Sequence, residues 1–365
     1  RPMLFSISNL GQRGVFFSNQ ITYPTGTTPR GVASVDVNGD NQTDIIVANQ
    51  GSNNVGILLN RGNGTFINQV TYSTGNHTNY VAAADLNGDN QPDIITPNYK
   101  DNTISVLLNK GNGTYHSQTE YTTENGPSFV TIDDVNGDNH LDIIVSHFDI
   151  NKVAVLLNRG NGTFTNRATY PTGSKSQCVV TADLNGDNKS DIVVPNNDLG
   201  NIGVLLNIGN GTFIAQQTYS TGSIPFAVAL GDVNDDNKTD IVVANYGSNS
   251  ISILLNQGNG IFQSQITYST GNRSQSVAIS DINADNWLDI IVVNYGSNNI
   301  CIFLNIGNGS FIKQATYSTE SSPFGVVVVD VNKDQKLDII VGNMNSNKIS
   351  VFLCVGYESN KIINF

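Results

Sequence analysis

The sequence predicts an all-β chain folded as one seven-bladed β-propeller, each blade a four-stranded antiparallel sheet, with the ring closed by the N-terminal strand. Three observations lead there. First, the string DVNGDNQTD starts at Asp36, and its relatives start at Asp85, Asp134, Asp183, Asp232, Asp281 and Asp330, each 49 residues after the last. Seven such units fill 343 of the 365 residues without insertion or deletion, so residues 1–365 need no division into further domains. Second, the chain is 38% apolar, only 13% charged and holds 35 glycines, a composition of short strands and tight turns rather than long amphipathic helices. Third, each unit contains four strand-like runs that cannot bury both faces alone, so neighbouring units must stack around an axis.

The first unit shows how each strand is read. Gly31 to Val35 is a short apolar run that enters an acidic loop. Asp44 to Asn49 (DIIVAN) is continuously apolar after its first residue, as a strand buried on both faces should be. A turn cluster at Gly51 to Asn54 leads to the third strand, Val55 to Asn60, and RGNGT makes a second turn. Phe66 to Tyr72 (FINQVTY) alternates apolar and polar residues and therefore suits an outer strand with one wet face.

The seventh unit supplies its first three strands, Gly325 to Val329, Asp338 to Asn343 and Lys348 to Cys354, but no fourth. Phe17 to Tyr23 (FSNQITY) lies 49 residues before Phe66 to Tyr72 and matches it, so residues 17–23 are expected to complete the last blade. Residues 1–10 and 357–365 are left as extra terminal segments. Each carries an apolar stretch, MLFSI or KIINF, able to add to a neighbouring strand edge. Arg1 to Leu10 lacks the charged-then-apolar layout of a signal peptide, so the chain reads as a mature protein or a fragment of one.

The acidic loops follow the spacing D-x-N-x-D-x-x-x-D, which places side-chain oxygens at positions 1, 3, 5 and 9. Position 1 is Asp36, Asp85, Asp134, Asp183, Asp232, Asp281 and Asp330; position 3 is Asn38, Asn87, Asn136, Asn185, Asn234, Asn283 and Asn332. Position 5 is Asp40, Asp89, Asp138, Asp187, Asp236, Asp285 and Asp334; position 9 is Asp44, Asp93, Asp142, Asp191, Asp240, Asp289 and Asp338. Position 7 varies among Gln42, Gln91, His140, Lys189, Lys238, Trp287 and Lys336, a variety expected where only the backbone carbonyl is used. Hard oxygen donors in this number, without a thiolate, select Ca²⁺. An Asx turn needs no ion, but three carboxylates within nine residues repel one another without a cation. Seven bound Ca²⁺ would move the net charge from −12 to about +2.

With these loops in view, the chain resembles the FG-GAP/VCBS repeat family, the units of seven-bladed propellers in integrin α chains and in many secreted adhesion and carbohydrate-binding proteins. The resemblance covers nearly the whole chain. It implies structural Ca²⁺ in each matching loop and an extracellular, non-catalytic adhesion or recognition role, with a glycan or an extracellular protein as partner. Here all seven blades carry the loop, where integrins carry it in a subset, and the dipeptides that name the family are degenerate. A second expectation is a glycosylated structural subunit that self-assembles into filaments through its terminal segments.

The net charge of −12 argues against nucleic acid and anionic lipid as partners. No window approaches the roughly 18 apolar residues of a membrane helix, so membrane insertion is not expected. Acceptor sequons recur in the second turn at Asn63, Asn112, Asn161, Asn210 and Asn308, and others fall at Asn41, Asn188, Asn237, Asn76 and Asn272. Around the mouth opposite the metal loops, the residues before the first strands differ from blade to blade. Arg30, Tyr80, Phe129, Phe226 and Phe324 there form a candidate ligand surface, since rings give contact area and polar tips give orientation. Packing between blades is the competing role for these rings. Cys178, Cys301 and Cys354 sit in apolar strands, as buried thiols do. The four histidines form no metal or triad spacing and read as loop or surface residues, and the paired acids are committed to the loops, so catalysis is not expected.

Overall fold

The computed structural model describes residues 13–359. Their strands form seven four-stranded antiparallel sheets and two further two-stranded ones. In the first blade the strands are Pro29–Val35, Asp44–Asn49, Asn54–Leu58 and Val70–Ser73, in sequence order from the axis outward. The second strand is buried at every residue in all seven blades, because blades press on both of its faces. The outermost strand is largely exposed.

Two strand limits differ from the sequence reading, for one reason. The third strand ends at Leu58, and the fourth begins at Val70, because an irregular stretch intervenes; only a bridge between Asn60 and Phe66 marks where the fourth was expected to start. In blades three and six the pairing instead runs through a bulge, giving continuous outer strands Phe164–Pro171 and Phe311–Ser318.

The core is a ring of apolar clusters between adjacent blades rather than one central mass. Between blades one and two, Val37, Ile46, Val55 and Ile57 meet Val81, Ile94, Leu107 and Tyr115. Fully burying one such aliphatic side chain contributes about 1.5–3 kcal/mol. At the outer edge each interface also carries an aromatic pair such as Tyr121–Phe164. All seven pairs, from Tyr23–Phe66 to Phe17–Tyr317, have ring centroids 5.2–6.0 Å apart, edge to face.

Closure occurs as the repeat demands, with shifted limits. Ile21–Pro24 pairs antiparallel with Lys348–Phe352, Thr22 opposite Ser350, and supplies the fourth strand of blade seven. Arg13–Phe17 adds a second ladder with Cys354–Ser359. Tyr357 to Ser359, expected outside the blades, therefore belong to this closure: their backbone continues the third strand and finds a partner in Arg13 to Val15. Residues 1–12 and 360–365, which include most of both apolar terminal segments, lie outside the described residues.

Candidate metal loops and axial mouth

Each acidic loop is a coil of backbone amides around its first aspartate. Asp36 Oδ1 accepts from the Gly39 amide at 2.8 Å, and Oδ2 accepts from the Asn41 amide at 2.6 Å. Asp40 Oδ1 accepts from the Gln42 amide at 2.7 Å, a bond repeated between positions 7 and 5 in every loop. The coil requires left-handed backbone at position 4, where Gly39 has φ 77°. Blades five to seven place Asp235, Ala284 and Lys333 there at φ 57–62°, a strained choice for residues with a Cβ.

Position 9 is the buried anchor. Asp44 is fully buried; its Oδ2 accepts from the Val37 amide at 3.0 Å and its Oδ1 from the Asn60 amide at 2.8 Å. Burial pushes this carboxyl, and its equivalents Asp93, Asp142, Asp191, Asp240 and Asp338, up to about 6. The other two acids of each loop push the same way. In blade six, burial raises Asp289 to about 8.

Among the described residues, no three acidic, histidine or cysteine side chains are gathered closely enough to hold a metal as they stand. The donors nevertheless fit Ca²⁺ in kind, since all are oxygens, and the acids at positions 1 and 5 push up the pKa of the buried one at position 9. The loops are not equivalent. Lys189, Lys238 and Lys336 at position 7 pair with Asp187, Asp236 and Asp334 at 2.7–2.9 Å, so in three blades that side chain supplies a cation to the loop. His140 and Trp287 instead lie against Gly160 and Gly307 of the neighbouring turn.

The sequence reading missed one residue class here. At the end of the third strand, Asn60 Nδ2 donates to Thr43 O at 2.9 Å and to Val331 O, in the acidic loop of blade seven, at 2.7 Å. Asn109, Asn158, Asn207, Asn256 and Asn305 make the same bridge to the preceding blade. The signal was an asparagine recurring every 49 residues. Blade seven has Cys354 instead; there Gln314 Nε2 and Tyr317 Oη of blade six donate to Val15 O at 2.9 and 3.4 Å.

On the opposite face, the five residues expected at the mouth all line one small open cavity. Every blade contributes the residue at 49-residue steps from Arg30 to Phe324, and blades two to seven add the residue that follows it. The five are not alike. Tyr80 and Phe129 stack at 3.6 Å and pack onto interblade cores. Phe226 and Phe324 join none of the buried clusters of the described residues, and meet each other edge to face at 6.0 Å. The Arg30 guanidinium lies over Phe324, 4.8 Å from its centroid, and Arg273 stands 5.6 Å over Tyr246.

Asn63, Asn112, Asn161, Asn210 and Asn308 are all exposed. The three cysteines are free and buried, as expected. His147 departs from the surface expectation: it is fully buried at the end of a second strand, where the other blades place a buried asparagine, and burial lowers its pKa to about 4.

Comparison with known proteins agrees with this geometry. No curated protein is detectably similar in sequence. Among solved structures, BBS1N in complex with ARL6DN is similar with a TM-score of 0.67 at 9% identity, covering 94% of this chain and 98% of that one. Virginiamycin B lyase from Staphylococcus aureus is similar with a TM-score of 0.65 at 16% identity, covering 92% and 99%. An Agrocybe aegerita lectin described as recognising non-reducing terminal N-acetylglucosamine is similar with a TM-score of 0.58 at 17% identity, covering 91% and 96%. Identities this low show a shared fold alone. The FG-GAP-like repeat model matches residues 36–96, 134–194, 183–243, 232–292 and 281–341, most of the chain, and the protein therefore belongs to the FG-GAP-like repeat family.

Proposed function

We propose that this propeller is a non-catalytic, Ca²⁺-stabilised extracellular protein that recognises a glycan or an extracellular protein through its axial mouth. The observation that carries the reading is the division of the ring: seven oxygen-rich loops repeat on one face, and a cavity of rings, amides and a guanidinium opens on the other. In each loop, positions 1, 3, 5 and 9 and the backbone of position 7 would hold the ion. The ion would supply charge compensation to the three carboxylates. Ligand chemistry belongs to the mouth, where aromatic faces meet sugar or peptide and amides fix its orientation.

A non-catalytic role is supported by the groups that line the mouth. Burial pushes the Cys178 thiol up to about 12, far from a nucleophilic thiolate. The Ser128 hydroxyl contacts Ser146 and Ser176 rather than a general base. Among the similar folds are both a lectin and a lyase, so the site chemistry rather than the fold carries this reading. A glycan array probed with and without Ca²⁺ tests it: Ca²⁺-dependent binding to a defined sugar class is expected, and binding to none would refute glycan recognition. Mass loss on enzymatic deglycosylation of the native protein tests the extracellular assignment.

A further inference from the structure

We infer that the axial mouth recognises a carboxylate carried on a sugar, of the uronic-acid type, with Arg30 as its counter-ion. This rests on the proposed reading of the mouth as a glycan site and names the ligand chemistry. The argument starts from an unpaired cation. Among the described residues Arg30 makes no ion pair, and its one hydrogen bond runs from Nη1 to Asn79 Oδ1 at 3.3 Å. That oxygen is already shared with Gln50 Nε2 at 2.7 Å. The Arg30 Nε is buried without a partner, and burial lowers the pKa of the guanidinium, with Tyr295 rather than any carboxylate acting the other way. The phenyl face offsets part of the cost of desolvating a guanidinium, and an anion would supply the charge partner it lacks.

A second group points the same way. Gln275 is 3% exposed, and its Nε2 is buried without an acceptor; it lines the same cavity as Arg30. Both unpartnered atoms are donors, so the missing piece is an acceptor, and beside a guanidinium the matching acceptor is an anionic planar group such as carboxylate. In a chain of net charge −12, the one charged side chain among the described residues lining this cavity is the cation Arg30. The rest of the wall favours a sugar as the carrier. Phe226 and Phe324 offer faces outside the packed cores, and Gln177 and Asn79 supply amides for hydroxyl groups.

Calorimetric titration of the full chain with methyl glucuronide and the neutral methyl glucoside, at equal ionic strength, tests the inference. The glucuronide should bind about tenfold tighter or better. That preference should disappear in Arg30→Gln and weaken as salt rises. The free Arg30→Gln protein should melt at the same temperature or roughly 2 °C higher, since a part-buried charge without a carboxylate partner is removed; a lower melting point would make Arg30 a structural prop and overturn the inference. Equal binding of the two sugars would overturn the carboxylate while leaving glycan recognition standing. Tighter binding of a short peptide with a free C-terminal carboxylate would overturn the sugar. Failure of every glycan on the array would instead remove the underlying functional reading.

Discussion

The two faces of the ring were built under different constraints. On one, Asp, Asn, Asp and Asp recur seven times at fixed positions, the last Asp of each set is fully buried, and an asparagine bridge ties six of the seven blades to the one before. On the other, the equivalent positions run from arginine through amides to phenylalanine, and two buried donors lack partners. Repetition marks the groups that hold the ring; variation marks the positions that the packing of blades leaves free to differ. Equivalent positions in a repeat protein thus separate stability from recognition without any second sequence.

The largest expected effect tests the ring itself. Deleting residues 1–23 removes both closing ladders, and the shortened chain should lose its cooperative thermal transition in circular dichroism; a sharp transition would show that closure is dispensable. Next comes the metal face. If the loops hold Ca²⁺ as proposed, a chelator should lower the melting temperature by more than about 10 °C, since several such sites would be linked to folding at once. In the chelated protein, stability should fall as pH rises from about 4 to 6. Buried carboxyls with pKa raised from 3.8 to about 6 keep their protons in the folded state while the unfolded chain has lost them, so the loss develops across that window. A stability that rises over that window would contradict the buried-anchor assignment.

Single substitutions sharpen the contrast between faces. Asn109→Ala breaks an interblade bridge and leaves the buried Val37 carbonyl without this donor, which should cost about 2 kcal/mol in urea titration. Phe324→Ala at the mouth should cost less than about 1 kcal/mol while weakening ligand binding. The smallest effect is a gain: Ala284→Gly relieves a left-handed residue and should stabilise the fold by about 1 kcal/mol.

Most of the fold was legible because a 49-residue period reports blade number, strand order and the missing fourth strand of the seventh blade together. The burial of Asp44–Asn49 followed from its unbroken apolar run. Strand limits were less legible, since the break between Leu58 and Val70 is a matter of backbone pairing that alternation of side chains does not encode. The mouth was legible as a place but not as a division of labour. Tyr80 and Phe226 look alike in sequence, and only three-dimensional packing sends one into a core and leaves the other beside the cavity. The Asn60 bridge went unread because an asparagine at a strand end is also an ordinary turn residue.

The closing ladders set how this molecule bears load. Among the described residues, Arg13 faces Ser359 as the outermost pair of an antiparallel ladder. Tension drawn across those two points in opposite directions would strain its hydrogen bonds one after another, like the teeth of a zipper, rather than all at once. A tether attached there would peel the ring open at modest force, whereas traction on a single turn between blades would meet the whole interlocked circle.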